Sequence, residues 1–247
     1  MSGETEGGLL VPEAVSRFFR AKKNKLGWSW LAVWRREHQH AFTVAKVGRL
    51  DLLAEIRAEV DRSLEEGLPF EQFQESIEPT LAKHGWLGHQ TLADGTVVEL
   101  GTPRRLKIIY DTNMRAARAA GQWHRIEAAK RSHPYLRYSL GPSHNHRDAH
   151  VKFDGLVLPV DDPFWKTHMP PNGWGCKCRV RQVSEREAQR LGGVSKPPQL
   201  KKIPWHNQRT GKTELVPEGL SPGFDYNPGQ SRSGKLLEIL HNKQSTI

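Results

Sequence analysis

Apolar residues recur at helical spacing through the first half of the chain. In the stretch that ends at Gly67 they are three and four positions apart, which places them on one helix face. They are Leu53, Ile56, Val60 and Leu64. This pattern predicts a long helix from about Trp30 to Glu66, ended by Gly67, after a short helix over residues 12–24.

A second apolar stripe begins after Pro69 and again has helical spacing. Its members are Phe70, Phe73, Ile77 and Leu81. Pro79 falls inside this stripe, so we expect a kink or an early stop near Glu78. The helical period is lost over residues 87–101, where Asp94-Gly95 predicts the turn of a small hairpin.

The longest clear helix is predicted to start at Thr102, which suits the N-cap, with Pro103 in the first turn. It should run to about Arg131. The residues expected to face the core are Leu106, Ile109, Tyr110, Ala117 and Trp123. Much of the remaining surface of this helix is basic.

From Gly141 onward the pattern changes to turns and short elements. The predicted elements are a strand from Tyr135 to Leu140, a turn at Asp154-Gly155, a strand from Val180 to Val183, and a helix opened by the Ser184 capping box and stopped at Gly192. Repeated prolines beyond residue 197 predict an extended chain without regular structure. The residues after Gly229 read as one short helix.

These patterns predict an α+β protein. An N-terminal helical part with long helices precedes a small C-terminal β/loop unit that is rich in turns. We divide the chain into a helical region with a hairpin (1–101), a core with the long basic helix and the C-x-C turn (102–192), and a proline-rich extended tail (193–247).

The composition predicts a surface that is large relative to the core. Only 36% of residues are hydrophobic and the mean hydropathy is −0.65, so we expect an elongated protein or one that completes its burial against partners. No apolar run approaches the roughly 18 residues of a membrane span. The N-terminus lacks the pattern of a secretory signal. Two cysteines cannot form a disulfide framework, which favours a reducing cytoplasm.

The net charge of +10 is concentrated in the middle of the chain. Residues 104–147 contain ten Lys and Arg residues against only Asp111 and Glu127. This segment could contact nucleic acid, without sequence preference, or an acidic protein, or it could simply be a solvated face. The candidate nucleic-acid-binding residues are Arg104, Arg105, Lys107, Arg115, Arg118 and Arg125.

Both cysteines lie two positions apart at Cys176 and Cys178, with His150 and His168 upstream. Thiolates and imidazole nitrogens are the ligands that zinc prefers, so these four residues are the candidate ligands of a structural Zn²⁺. The alternative is that the cysteines are small buried hydrophobic residues beside a turn. A disulfide would be strained at this spacing, and a redox pair would need C-x-x-C.

A set of motifs in fixed order resembles a known family. The motifs are YDTNMRAARAAGQWHRI, RYSLG, R-x-x-H followed by F-D-G, VDDPFW, HMPPNGWGCKC and PGFDYNPG. Together they resemble the Mu F-like minor head proteins of the phage head morphogenesis family, over about Pro12 to Gly229. Many members have N-C-R-C where this chain has Gly175 to Cys178.

The resemblance implies a non-enzymatic minor capsid protein of a tailed phage or prophage, made in the host cytoplasm and carried in the virion head. Its expected partners are the portal protein, other head proteins and, without sequence specificity, packaged DNA. Its expected work is procapsid assembly and DNA packaging. The alternative function is a metal-dependent nuclease or toxin-like hydrolase that uses His150, Asp161 or Asp162, and His168.

The resemblance also bears on the metal. In a related branch of the family, cysteines stand at the positions of Arg147 and His150 and complete a set of four thiols that looks like a zinc site. This chain keeps His150, Cys176 and Cys178. The fourth ligand is then expected to be His168, with His144, His146 and Asp148 as the alternatives.

Overall fold

The computed structural model describes residues 13–92 and 94–230, and the α+β class predicted from the sequence is confirmed. The predicted position of Pro12 and the short helix after Gly229 lie outside the described residues. The α-helices are α1 Glu13–Arg20, α2 Leu50–Glu66, α3 Phe70–Lys83, α4 Pro103–Ala129, α5 Asp148–Val151, α6 Trp165–His168 and α7 Glu185–Arg190. The strands are β1 Lys23–Asn24, β2 Ala41–Phe42, β3 His89–Thr91, β4 Val97–Glu99, β5 Tyr135–Ser139, β6 Val157–Pro159, β7 Arg179–Val183, β8 Lys202–Asn207 and β9 Lys212–Pro217.

Helices α1 to α3 pack with the first two thirds of α4 around one hydrophobic core, the first core. The predicted stripe of α2 is fully used, since Leu53, Ile56 and Val60 are completely buried there. Gly67 ends α2 in the left-handed conformation at φ 69°, as predicted for a C-terminal glycine. The hairpin predicted at Asp94-Gly95 is confirmed as the antiparallel pair β3–β4.

The long helix predicted from Trp30 was wrong in its first half, because α2 begins only at Leu50. Residues 30–49 form two short 3₁₀ turns and strand β2, which pairs in parallel with β1. The reason is tertiary. The Trp34 and Trp205 rings stack with their centroids 5.1 Å apart, and the Trp30 and Trp174 centroids are 6.2 Å apart. Contacts with C-terminal residues therefore set the conformation of this segment.

Of the kink or early stop expected near Glu78, the early stop was wrong, because α3 continues to Lys83. Pro79 is exposed, so its ring and the unpaired carbonyl it leaves face water. Phe73 and Ile77 before the proline, and Leu81 after it, are all buried in the first core. Packing on both sides of the proline therefore keeps the helix in one piece.

The helix predicted from Thr102 is confirmed as α4, with 27 residues. The Thr102 hydroxyl accepts a hydrogen bond from the Arg105 backbone N–H at 3.4 Å, and Pro103 occupies the first turn. Trp123 and Ile126, near the end of α4, leave the first core and enter a second one. The same helix therefore serves two cores.

The second core is built on a three-stranded sheet of order β6-β5-β7, antiparallel throughout. Leu136 and Tyr138 of β5 and Trp165 of α6 are completely buried in it. The predicted strands at 135–140 and 180–183 are thus confirmed, and so is the Ser184 cap, whose hydroxyl accepts from the Glu187 N–H.

The prediction that nothing regular follows residue 197 was wrong, since β8 and β9 form an antiparallel hairpin. Proline is excluded from central strands because it lacks an N–H, but in a two-stranded ladder alternate N–H groups point outward. Pro204 and Pro217 are therefore compatible with the pairing, opposite Leu215 and Lys202. Across the described residues, no helix has the length and apolarity needed to span a membrane.

Candidate functional site

Residues 169–178, the C-x-C loop, lie between α6 and β7 and pack against the end of β5. Gly141 makes this possible, because a Cβ at this position would overlap the Lys177 carbonyl oxygen. Two arginines hold the loop through its carbonyls. Arg115 donates to the Cys176 oxygen at 2.5 Å and Arg147 donates to the Trp174 oxygen at 2.7 Å.

The loop brings both thiols to His150, at the end of α5. One atom each of His150, Cys176 and Cys178 lie within 4.8 Å of one another, and this is the one such group of three or more found among the described residues. In tetrahedral zinc sites the Zn–S distance is about 2.3 Å and Zn–N is about 2.0–2.1 Å, so donors this close can share an ion. Three of the four predicted ligands are therefore brought together.

The hydrogen bonds of His150 set its tautomer. Nε2 lies 2.7 Å from the Gly219 carbonyl oxygen, which can only accept, so Nε2 carries the proton. Nδ1 is then the unprotonated nitrogen, and it faces Cys178 Sγ at 3.4 Å. A carbonyl that fixes the ring in this way is the usual support of a metal-binding histidine.

The environment shifts the pKa values of the two thiols in opposite directions. A hydrogen bond from the Cys178 thiol, opposed by burial, lowers the pKa of Cys176. The same bond, followed by burial, raises the pKa of Cys178. A metal ion would bind both cysteines as thiolates and displace their protons.

His168, the fourth predicted ligand, does not belong to the group formed by His150 and the two cysteines. Its Nδ1 lies 2.8 Å from the Thr167 hydroxyl and its Nε2 lies 2.9 Å from the Glu218 carbonyl oxygen, so both ring nitrogens have partners. The ring is buried and stacks on Phe164 at 4.5 Å. Burial, the largest cause, lowers the pKa of His168.

A cavity of about 200 Å³ adjoins the thiols, and His146 and Arg147 line it. His146 already contacts the Gly141 carbonyl oxygen through Nε2 at 2.8 Å. Gly175 adopts φ 68°, a conformation open to glycine and, among other residues, mainly to asparagine. The difference from the N-C-R-C form thus preserves the shape of the loop.

The six predicted nucleic-acid-binding residues do not form one surface. Arg104 pairs with Glu99 at 2.5 Å, and Lys107 lies over the Phe70 ring at 4.6 Å. Arg105 donates to the carbonyls of Ala45 and Glu99. The other three line an open groove beside the C-x-C loop: Arg115, Arg118 and Arg125.

Lys177 and Arg179 line the same groove, and sequence reasoning missed them. The signal is present in the letters C-K-C-R, where two cations alternate with the cysteines. Their contribution to the groove depends on the loop packing against α4, which no local pattern predicts.

The residues of the alternative nuclease function are separated by their contacts. Asp161 is largely exposed and pairs with Lys130 at 2.5 Å. Asp162 accepts from the Phe164 backbone N–H at 2.8 Å, as a turn residue does. Neither carboxylate belongs to the group formed by His150 and the thiols.

Fold and site together define an α+β protein with a thiol–imidazole centre beside a basic groove. The family profile described as "Phage Mu protein F like protein" matches residues 54–181. The chain therefore belongs to the Phage Mu F-like family, and the resemblance predicted from its motifs is confirmed.

Two relatives can be compared in detail. The putative capsid assembly protein F of Escherichia phage Mu is 40% identical over 187 residues, which cover 74% of this chain and 43% of that protein. The Mu-like prophage FluMu F protein of Haemophilus influenzae is 36% identical over 169 residues, 67% of this chain and 40% of that protein. The chain thus spans less than half the length of each relative. No solved structure matches it.

Proposed function

We propose that this protein is a non-enzymatic component of phage head assembly that acts by binding other head proteins. The observation that carries the proposal is its match to the capsid assembly protein F of phage Mu over 74% of the chain. Its geometry supports a binding role, because the carboxylates that hydrolysis would need take part in structural contacts. The expected partners are the portal and scaffold proteins during procapsid assembly, and the packaged DNA.

A prophage from which this coding segment is deleted tests the assembly role. After induction, electron microscopy should find few filled heads, and the chain supplied in trans should restore them. Purified heads should contain the chain by mass spectrometry. Normal heads in the deletion strain would contradict the proposal.

Plasmid nicking tests the absence of catalysis. The purified protein should leave a supercoiled plasmid intact with Mg²⁺, Mn²⁺ or Zn²⁺. Cleavage by the wild-type protein that disappears in the His150→Ala variant would replace the assembly role with the nuclease function.

We further propose that His150, Cys176 and Cys178 hold a structural Zn²⁺. The support is the donor set: two thiols and a histidine nitrogen whose tautomer leaves its lone pair directed at them. The ion would cross-link α5 to the loop before β7. Because His168 has both ring nitrogens occupied, the fourth position would fall to a side chain of the adjoining cavity, such as His146, or to water.

Metal analysis of the purified protein tests this site. We expect about one zinc per chain in the wild type, and loss of that zinc in Cys176→Ser and in His150→Ala. His168→Gln is the matched control and should keep its zinc. Metal-free wild-type protein after zinc supplementation would rule out the site.

A further inference from the structure

A groove of about 560 Å³ runs between α4 and the C-x-C loop. Five basic side chains line it, and no carboxylate does. They are Arg115, Arg118 and Arg125 from α4, and Lys177 and Arg179 from the loop and the start of β7. The groove therefore has a cationic wall on each side.

Four of these cations are available to a ligand. Arg118, Arg125, Lys177 and Arg179 are all exposed. Within the described part of the chain, none of the four has an ion pair, whereas sixteen other such pairs occur there. Exposed cations held close together without counter-charges repel one another, and an anionic ligand relieves that repulsion.

Arg115 has a different role in the groove. Its guanidinium donates to the Cys176 carbonyl at 2.5 Å and lies 3.6 Å from the Asp111 carboxylate. It thus joins α4 to the C-x-C loop and sets the spacing of the two walls. Gln122 of α4 makes a second such link, since it donates to the Val180 carbonyl at 2.6 Å.

We propose that this groove binds the phosphate backbone of a nucleic acid strand, with Arg118 and Arg125 on one wall and Lys177 and Arg179 on the other. The proposal deepens the assembly role by assigning its DNA contact to a defined surface. Binding to the groove is measured on the purified protein, so its failure is distinguishable from a failure of the assembly role in the prophage.

The spacing of the charges favours a nucleic acid over an acidic protein segment. Arg118 and Arg125 are seven residues apart on one helix, which is about 10 Å at 1.5 Å per residue. A DNA strand presents one phosphate per about 3.4 Å of its axis, so this wall corresponds to about three phosphate-to-phosphate steps along the axis. Guanidinium groups also match phosphate oxygens in bidentate geometry.

The lining also predicts how the strand is recognised. No aromatic ring lines the groove, so bases would not stack in it. The apolar part of its lining includes Met169 and the prolines Pro142, Pro170 and Pro171. Contacts to phosphates position a strand but carry no sequence information. Binding should therefore be independent of sequence and should weaken steeply with salt.

Fluorescence anisotropy with labelled 20-mer oligonucleotides tests the groove, using single-stranded and duplex probes of two unrelated sequences at several salt concentrations. The groove variant is Arg118→Gln with Arg125→Gln. The matched control is Arg104→Gln with Lys107→Gln, which removes the same charge from the same helix outside the groove. Circular dichroism confirms that both variants are folded.

We expect the groove variant to weaken binding about tenfold or more and to reduce the slope of log affinity against log salt by about 1.4–1.8, since each phosphate contact contributes about 0.7–0.9. The control should change affinity less than about threefold. Lys177→Gln with Arg179→Gln should reproduce the groove effect from the opposite wall. The probe that loses most affinity identifies single-stranded or duplex DNA as the source of the phosphates.

Two results would overturn the proposal. Equal loss in the groove and control variants would mean that DNA responds only to net charge. Tighter binding of poly-L-glutamate than of DNA, sensitive to the same groove variant, would mean that the occupant is an acidic protein segment.

Discussion

Gly141 shows most directly how one residue's identity supports the site. It ends the RYSLG motif, and its missing side chain lets β5 approach the backbone of the C-x-C loop at Lys177. The sequence marks Gly141 only as the point where the pattern changes from strand to turns. The steric reason depends on a contact with a residue 36 positions further along the chain, which is why local reading could not supply it.

Gly141→Ala should therefore lower the free energy of unfolding by about 3 kcal/mol, because the added methyl group forces two backbones apart. Chemical denaturation measures the loss. Gly48→Ala is the control, since a Cβ there meets nothing within 4 Å and the backbone has no positive φ. A cost of less than about 1 kcal/mol at Gly141 would contradict the close approach.

His38 links stability to pH. Burial, with Lys22 as the next cause, lowers its pKa from 6.5 to about 4, while Glu37 and the Val33 carbonyl act in the opposite direction. The unfolded chain therefore binds a proton near pH 6.5 that the folded chain binds only near pH 4. Stability from this group is complete above pH 6.5 and is lost as the pH falls toward 4.

We expect urea denaturation to give about 1–2 kcal/mol less stability at pH 5 than at pH 7 from this residue, with the partial exposure of the ring reducing the effect. His38→Gln should flatten the pH dependence by that amount. His124→Gln, which removes an exposed imidazole from α4, should keep the wild-type slope. Identical slopes in the wild type and His38→Gln would show that His38 does not cause the loss.

At the scale of elements, α3 is a helix that tertiary packing maintains against a local rule. A proline in a helix interior removes a hydrogen bond and crowds the preceding turn. From the sequence we expected Pro79 to kink the helix or stop it near Glu78. Burial of Phe73, Ile77 and Leu81 on one face decides in favour of the helix.

Pro79→Ala should accordingly stabilise the protein, by about 1–3 kcal/mol, because it restores the missing N–H donor in a helix that is already complete. Thermal and chemical denaturation both report the gain. Glu78→Ala, an adjacent exposed substitution, should stay within about 0.5 kcal/mol of the wild type. Destabilisation by Pro79→Ala would mean that the proline limits the unfolded chain more than it strains the helix.

The Trp-rich segment before α2 marks the limit of reading elements from periodicity. Trp30 and Trp34 precede an amphipathic stripe, so the pattern extends the helix back to include them. In the fold their rings meet Trp174 and Trp205, and Arg35 forms ion pairs with Glu214 and Asp225 at 3.3 and 3.1 Å. Contacts this distant in sequence leave no periodic signal.

For the whole molecule, α4 is the element on which the two cores depend. Leu106 and Tyr110 lie in the first core, and Trp123 and Ile126 lie in the second. If α4 unfolds in the first core, the helix whose last turns pack in the second core is disrupted as well. We therefore expect the two cores to unfold together. The boundaries drawn at 101/102 and 192/193 stay predictions about folding units.

Leu106→Ala should test this coupling, with an expected loss of about 2–5 kcal/mol for a buried leucine. Because α4 is continuous, the unfolding transitions followed by tryptophan fluorescence and by far-UV circular dichroism should both shift to lower denaturant concentration. The fluorescence includes the second-core residues Trp123 and Trp165. Coincident transitions in the wild type and the variant support one cooperative unit. A fluorescence transition that stays in place while circular dichroism shifts would show two independent units.

The sequence by itself determined the helix-forming stripes, the cap at Thr102, the strands at 135–140 and 180–183, and the family, because these are written in local spacing and in ordered motifs. It also identified both cysteines and His150 as candidate metal ligands. The tertiary structure decided the rest: where the tryptophans dock, that α3 survives its proline, that β8 pairs with β9, and which cations share a groove. These features depend on contacts between residues that are distant in the sequence. The energies of these contacts outweigh local propensity, and the contacts produce no pattern in the sequence near either residue.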